Sequence, residues 1–265
     1  MFSKFKRSLF ERFRYATKLQ AFRRLATELS VLDHDGVDLE TLQVIASIKS
    51  YINCKGLVLI DVGAHKGLFT KPAMQALGFS RFLAFEPNPE LHSIIVKNTK
   101  EIPGEIRVKG LGETPGTFDL QIHPDPSMSS LLTSNCNILK RDFSYDDVES
   151  LRSISVEVST LDRELLIDNT CPQKYFLKID TQGNELGVLQ GGRNVLRHCA
   201  AVLVEHMFVT PYHGQASFHE LIAFLQTEGF HCVAVLEIRR KKSYRISGVD
   251  FLFMPSDAAH SVLRS

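Results

Sequence analysis

The chain has 265 residues, 44% of them hydrophobic and 23% charged, which is ordinary globular composition for one large α/β domain or two small ones. Its 31 Lys and Arg against 30 Asp and Glu give a net charge of +1, which argues against nucleic-acid binding by the protein as a whole. No run of 18 apolar residues exists to span a membrane, and a chain this long buries enough surface to need no disulfide or structural metal.

Residues 1–30 carry eight basic residues against Glu11 and Glu28. Phe2, Phe5, Leu9, Phe13, Leu19, Phe22 and Leu25 interleave with them at spacings of mostly three or four. That spacing predicts an amphipathic helix with a basic face, either packed on the domain or touching an anionic membrane. It lacks the continuous apolar core of a secretory signal. A second helix is predicted over 37–51, and residues 1–50 together read as a helical extension ahead of a catalytic domain at 51–265. Cys54, Cys136, Cys171, Cys199 and Cys232 are odd in number and form no C-x-x-C pair. Buried reduced thiols in a cytoplasmic protein, peripheral at the membrane if the basic helix binds there, are the expectation.

From 57 onward short runs of Val, Ile, Leu and Phe alternate with helical stretches, the pattern of βαβ units on a parallel sheet. Strands are expected at 57–61, 81–86, 105–109, 175–180, 200–205, 231–237 and 248–253. Helices are expected at 67–77, 89–99, 185–197 and 216–228. The stretch 110–170 breaks the alternation. It holds two strand-like segments, 116–122 and 154–158, around a polar tract at 123–150 that reads as a loop or lid over the site.

The first strand runs Leu57-Val58-Leu59-Ile60-Asp61 into the turn Val62-Gly63-Ala64-His65-Lys66-Gly67. Gly63 permits a sharp turn and close backbone approach, and Gly67 close passage at the helix start. A pyrophosphate site prefers G-x-G-x-x-G. Here only two glycines stand in the turn, behind a carboxylate that repels phosphate and suits an ammonium and a sulfonium. This favours S-adenosylmethionine (SAM) over a nicotinamide dinucleotide. The second strand ends Phe85-Glu86-Pro87-Asn88-Pro89, placing an acid where ribose hydroxyls are held, with Asn88 as the N-cap of the next helix. Asp61, Gly63, His65, Gly67, Glu86 and Pro87 are therefore the candidate cofactor contacts.

Two further strands end in acids, Lys178-Ile179-Asp180 and Val204-Glu205-His206. Ligands of open α/β sheets bind at the carboxyl ends of strands, so Asp61, Glu86, Asp180 and Glu205 are expected to converge. Asp180 or His206 is the expected base for a hydroxyl acceptor, with Glu205 and Lys178 orienting it. No metal is assigned: His206 and His213 have no third ligand at diagnostic spacing, and the strand-end acids permit a divalent cation without requiring one.

With these residues in view, 57–253 resembles the FkbM-type methyltransferase family. The resemblance rests on Ile60–Gly67, Phe85-Glu86-Pro87, Ser129-Ser130-Leu131 and Thr160-Leu161-Asp162. It rests most specifically on Leu177–Glu185 followed by Leu189-Gln190-Gly191-Gly192. It implies a Rossmann-like class I methyltransferase fold, with a mostly parallel seven-stranded sheet and helices on both faces. It also implies SAM as donor and O-methylation of a sugar, glycan or secondary metabolite. The family's usual Asp-Val-Glu-Gly reads Asp180-Thr181-Gln182-Gly183 here, so a carboxylate is missing at 182. The readings that compete are a nicotinamide-dependent oxidoreductase and a non-catalytic SAM-binding or membrane-associated module. Neither the acceptor nor the oligomeric state is legible.

Overall fold

The computed structural model describes residues 20–29, 31, 36–143, 145, 151–165, 174–240 and 245–262. Residues 20–28 form helix α1, and α2 follows at Leu39–Tyr51, started by the Asp38 carboxylate accepting the Thr41 N–H at 2.7 Å. The chain then runs β1 (Val58–Val62), α3 (Thr70–Leu77), β2 (Arg81–Phe85), α4 (His92–Thr99) and β3 (Gly104–Arg107). Next come β4 (Gly110–Leu111), β5 (Gly116–Ile122), α5 (Cys136–Phe143), β6 (Arg152–Ser159) and α6 (Leu161–Leu165). The last part is β7 (Tyr175–Ile179), α7 (Glu185–Gln190), α8 (Arg193–Leu196), β8 (Cys199–Met207), α9 (Phe218–Thr227), β9 (Phe230–Arg240), β10 (Ile246–Pro255) and α10 (Ser256–Val262).

Seven strands make one sheet in the order β3-β2-β1-β7-β8-β10-β9. All are parallel across β3 to β8, and β10 runs antiparallel to both β8 and β9. The expected Rossmann-like sheet is therefore present, with one strand reversed. β1 and β7 are buried at every position, as strands covered on both faces must be. Alternation sends Leu59, Phe176 and Leu203 into a core beneath α1, α2, α3 and α10. It sends Ile60, Leu177 and Val204 into a second core beneath α6, α7, α8 and α9. Within the first core Ala26 and Leu29 are buried and Phe22 and Leu25 pack against them, so the described part of the basic helix spends its apolar stripe on the domain. Residues 1–19, where the rest of that predicted helix falls, lie outside the described residues.

Three expectations need correction. The predicted helix 185–197 is two helices, because a Cβ on Gly191 would stand 2.1 Å from the Gly112 carbonyl oxygen and the chain breaks where the backbones touch. The stretch 123–150 is not all loop: it holds a 3-10 turn at Pro126–Met128 and α5, a short helix that buries only Leu139. The strands on either side, β5 and β6, pair antiparallel over their full length and with β4 form a separate three-stranded sheet around Leu120, Val156 and Val158. Of the four described cysteines Cys54 and Cys199 are buried, but Cys136 is half-buried and Cys232 exposed. Among the described residues no helix is long and apolar enough to cross a membrane, and no group of side chains could hold a metal ion.

Candidate active site

A cavity of about 610 Å³ opens at the carboxyl ends of β1, β2, β7 and β8. Its floor includes Gly63, His65, Glu86, Pro87, Lys178, Asp180 and Glu205; Asp61, Gly67 and His206 are not part of its lining.

The turn after β1 is built by contact. Gly63 has φ 76° and a Cβ there would lie 1.8 Å from the Asp180 carbonyl oxygen, so no side chain fits between β1 and β7. Four N–H groups of this turn are already used. Those of Gly63 and Ala64 donate to the Phe85 carbonyl at 3.0 and 3.1 Å, that of Gly67 to the Ala64 carbonyl at 2.7 Å, and that of His65 to Glu86 Oε2 at 2.9 Å. The Asn88 N–H takes Glu86 Oε1 at 2.9 Å, and Asn88 caps the next turn as expected by accepting the Glu90 N–H. Glu86 is thus held rigidly at the cavity wall, 8% exposed. Burial pushes its carboxyl up to about 7, with the two backbone N–H donors pulling the other way. Opposite it, the His65 Nε2 atom is buried without a partner, and burial lowers the ring's affinity for a proton.

Asp61 is fully buried behind this turn. Thr70 donates its hydroxyl to Oδ2 at 2.6 Å, and Lys178 Nζ stands 2.9 Å from Oδ1. The expected contact of Asp61 with a ligand is therefore not made, because its carboxylate is spent on the lysine directly across the sheet. The Lys178 ammonium also donates to the Gly63 carbonyl at 3.0 Å and lies 3.8 Å from Asp180 Oδ2. Two of its three donors are thus committed to the protein, and from there it steadies Asp180 and the glycine turn. Gly67, φ 72°, packs against Thr99 and Ile95 of α4 and shapes the turn from behind.

Asp61, Lys178, Asp180, Glu205, Asp250 and Arg239 share one face of five strand ends. Glu205 and Asp250 are directly paired across β8 and β10, a like-charge arrangement that costs stability, and Arg239 bridges both. Two cations among four carboxylates leave acid in excess. Burial pushes the Glu205 carboxyl well up, with Asp180 beside it adding to the effect against the pull of Arg239. Burial pushes Asp180 up as well, but Lys178, a hydrogen bond with Glu205 and the Arg239 charge hold it below the ordinary range. Within the pair the proton is therefore favoured on Glu205 over Asp180.

His206 departs from the expectation. Successive residues of a strand point to opposite faces, so a cavity-facing Glu205 sends His206 into the other core, where it packs on Phe208 and Phe218 with ring centroids 5.0 and 5.5 Å away. Burial there lowers it to about 4.

Sequence reasoning missed Tyr212, Arg239 and Asp250 and gave no role to Gln182 and Ser130, which it met only within the family tracts; all but Tyr212 line the cavity. The Gln182 Nε2 donates to Asp180 Oδ1 at 2.9 Å and Glu205 Oε2 at 3.1 Å. The Tyr212 hydroxyl lies 3.1 Å from Gln182 Oε1 and 2.8 Å from the Met128 carbonyl, and the Ser130 hydroxyl donates to the Gln182 carbonyl at 2.7 Å. A backbone signal marks the site as well. Among the described residues the two non-glycines with positive φ are His65 (52°) and Gln182 (57°), one in each turn facing the cavity.

The family model described as Methyltransferase FkbM domain matches residues 61–232. A curated relative, the hexuronic acid methyltransferase AglP of Haloferax volcanii, is 27% identical over 155 residues, which are 58% of this chain; the chain spans 58% of that relative's length. Among solved structures, M. capricolum TrmK in complex with S-adenosyl-homocysteine aligns with TM-score 0.46 and 8% identity, over 80% of this chain and 67% of that one. The precorrin-6y C5,15-methyltransferase of Geobacter metallireducens aligns with TM-score 0.42 and 14% identity, over 80% and 87%. Likenesses this distant say nothing of substrate.

Proposed function

Because this chain belongs to the Methyltransferase FkbM domain family, we propose that it is a SAM-dependent methyltransferase acting on a hydroxyl of a sugar or glycan. The observation that carries the cofactor reading is the β1 turn. The N–H groups of Gly63, Ala64, His65 and Gly67 are bonded within the protein and offer no amide cradle to a pyrophosphate, while Glu86 presents a fixed carboxylate to the cavity beside them. That favours a nucleoside without phosphates over a nicotinamide dinucleotide. The unpartnered His65 Nε2 adds a polar atom for the same ligand.

Gly63, Ala64, His65, Glu86 and Pro87 would hold the adenosyl part, Glu86 through the ribose hydroxyls. When bound, the cofactor supplies an already activated methyl group on a sulfonium. The chain's own contribution is placement and proton transfer. Asp180, ionised and turned to the cavity, accepts the proton of the acceptor hydroxyl. Protonated Glu205 donates a hydrogen bond that keeps Asp180 in place, and Lys178 steadies it from below. Residues Ser127–Leu131 and Phe143, from the stretch between β3 and β7, line the cavity and serve as its lid. The named substrate of the curated relative supports a sugar acceptor. The cationic residues at 1–19 support a contact with an anionic membrane, testable by co-sedimentation with vesicles containing phosphatidylserine.

Calorimetry with SAM and with NAD, followed by transfer of labelled methyl to a panel of mono- and disaccharides, tests the reading. Binding of SAM alone and labelling of at least one sugar is expected; tight binding of NAD with no response to SAM would overturn it.

A further inference from the structure

Resting on the reading of this cavity as a methyl-transfer site, we propose that Gln182 is its positioning residue: the side-chain amide clamped between Asp180 and Glu205 fixes the carboxylate that receives the acceptor's proton. A primary amide has two N–H donors and both are used, one on each carboxylate. Its oxygen meets the Tyr212 hydroxyl, so the amide cannot turn over without setting its carbonyl against two acids. The backbone beneath it is held by Ser130, from the segment that lines the cavity opposite. Three contacts thus converge on the side chain and a fourth on its backbone, and the chain adopts φ 57° to place it there, a conformation that glycine would reach without strain. Nothing in the packing of the turn requires a glutamine. The N–H groups of Thr181 and Gly183 are already taken by the buried Glu185 carboxylate, at 3.0 and 2.9 Å. The turn is closed without the Gln182 side chain, and strain retained beside two carboxylates marks a position kept for what it holds.

The charged and titratable groups facing Asp180 are Lys178 on β7, Glu185 at the start of α7, Glu205 on β8, Arg239 on β9, Asp250 on β10, His65 in the β1 turn and Tyr212 after β8. Among them Gln182 touches both members of the acid pair while bearing no charge. Its removal takes one hydrogen bond from each carboxyl group and leaves Asp180 to Lys178 and Glu205, and Glu205 to Arg239. A glutamate in its place adds a third carboxylate, which restores the bridge only when it carries a proton.

The test uses the full chain and Gln182→Gly, Gln182→Leu and Gln182→Glu. Ligand-free protein with 13C-labelled Asp and Glu is titrated by NMR, thermal midpoints are recorded, and labelled methyl transfer from SAM to the sugar panel is followed against pH. Gln182→Gly is expected to keep its midpoint within about 4 °C of the parent. Its Asp180 and Glu205 signals should titrate differently, and transfer should fall about 100-fold. At saturating SAM, Gln182→Glu should gain activity relative to the parent as pH falls from 8 to 6. A Gln182→Gly or Gln182→Leu protein with the parent's carboxyl titration and rate overturns the proposal, as does a Gln182→Gly protein that simply unfolds, since that marks a structural role. If no variant and no parent labels any sugar, the proposed function fails, while the ligand-free titration still decides the role of Gln182.

Discussion

Lys178 Nζ lies 2.9 Å from Asp61 Oδ1, directly across the parallel pair β7–β1, and neither side chain has more than 10% of its surface in water. This ion pair sits under the glycine turn and beside Asp180, joining the first strand to the acids of the cavity. Breaking it from one side leaves a buried charge without its partner, at a cost of about 3–5 kcal/mol. Asp61→Asn is therefore expected to lower unfolding stability by that amount in denaturant titration. Asp61→Asn with Lys178→Met should recover a large part of it. Equal stability of the single variant and the parent would show that the pair does not hold the turn.

Glu86 gives the protein a pH dependence of definite sign. Its folded carboxyl stands at about 7 against an ordinary 4.5, so the stability it contributes is complete below about 4.5 and lost as pH rises through 7. The loss amounts to about 3 kcal/mol from this group. Binding of SAM should run the other way, tightening from pH 6 to 8 as the carboxylate that accepts ribose hydroxyls forms. Glu86→Gln is expected to flatten both curves, read by melting and by calorimetry at each pH. Opposite slopes that persist in the variant would assign them elsewhere.

His206, once a candidate base, is expected to be dispensable for chemistry. His206→Phe fills a site among Phe208 and Phe218 and should leave the rate of methyl transfer within about twofold, because its ring never reaches the cavity. The buried neutral ring, lowered to about 4, contributes stability that is present above its ordinary 6.5 and lost as pH falls through 4. The Phe variant should therefore resist acid better than the parent. A collapse of transfer without unfolding would return His206 to the mechanism.

The charge of the cavity wall sets an expectation for the acceptor. Lys178 is committed to Asp61, Arg239 to Glu205 and Asp250, and Lys109 to Glu157 and Glu164. Arg240, exposed at the end of β9, is also engaged. Among the described residues carboxylates outnumber cations along this wall, so an acceptor carboxylate meets repulsion and desolvation without compensation. A neutral hexoside is expected to be methylated at least about tenfold more efficiently than the matching hexuronide, a difference of about 1.4 kcal/mol. The methyl ester of the hexuronide should behave like the neutral sugar. Preference for the free acid would show that cations outside the described residues reach the site.

Much of the site was legible because the residues that build it are contiguous in sequence. Gly63 and Glu86 follow directly on apolar strands, and the order of the strands in an open sheet brings their carboxyl ends together. Their placement at the cavity needed no more than strand periodicity and the topology of βαβ units. What failed did so at single-residue resolution. Asp61 and His206 each lie next to a cavity residue in sequence, yet one is consumed by a lysine directly across on the adjacent strand and the other faces the opposite core. Arg239 and Asp250 were invisible because they come from the β9–β10 pair at the far side of the sheet, and Gln182 because its importance lies in what its amide touches.

The sequence by itself determined the elements, the sheet and the neighbourhood of the ligand, since hydrophobic period and glycine turns are local properties of the chain. Only the tertiary structure decided which carboxylates are free to meet a ligand, which are neutralised by cations, and which carries a proton. Those properties depend on distances of a few ångströms between side chains far apart in sequence, as for Asp61 and Lys178, and on how much water burial has removed.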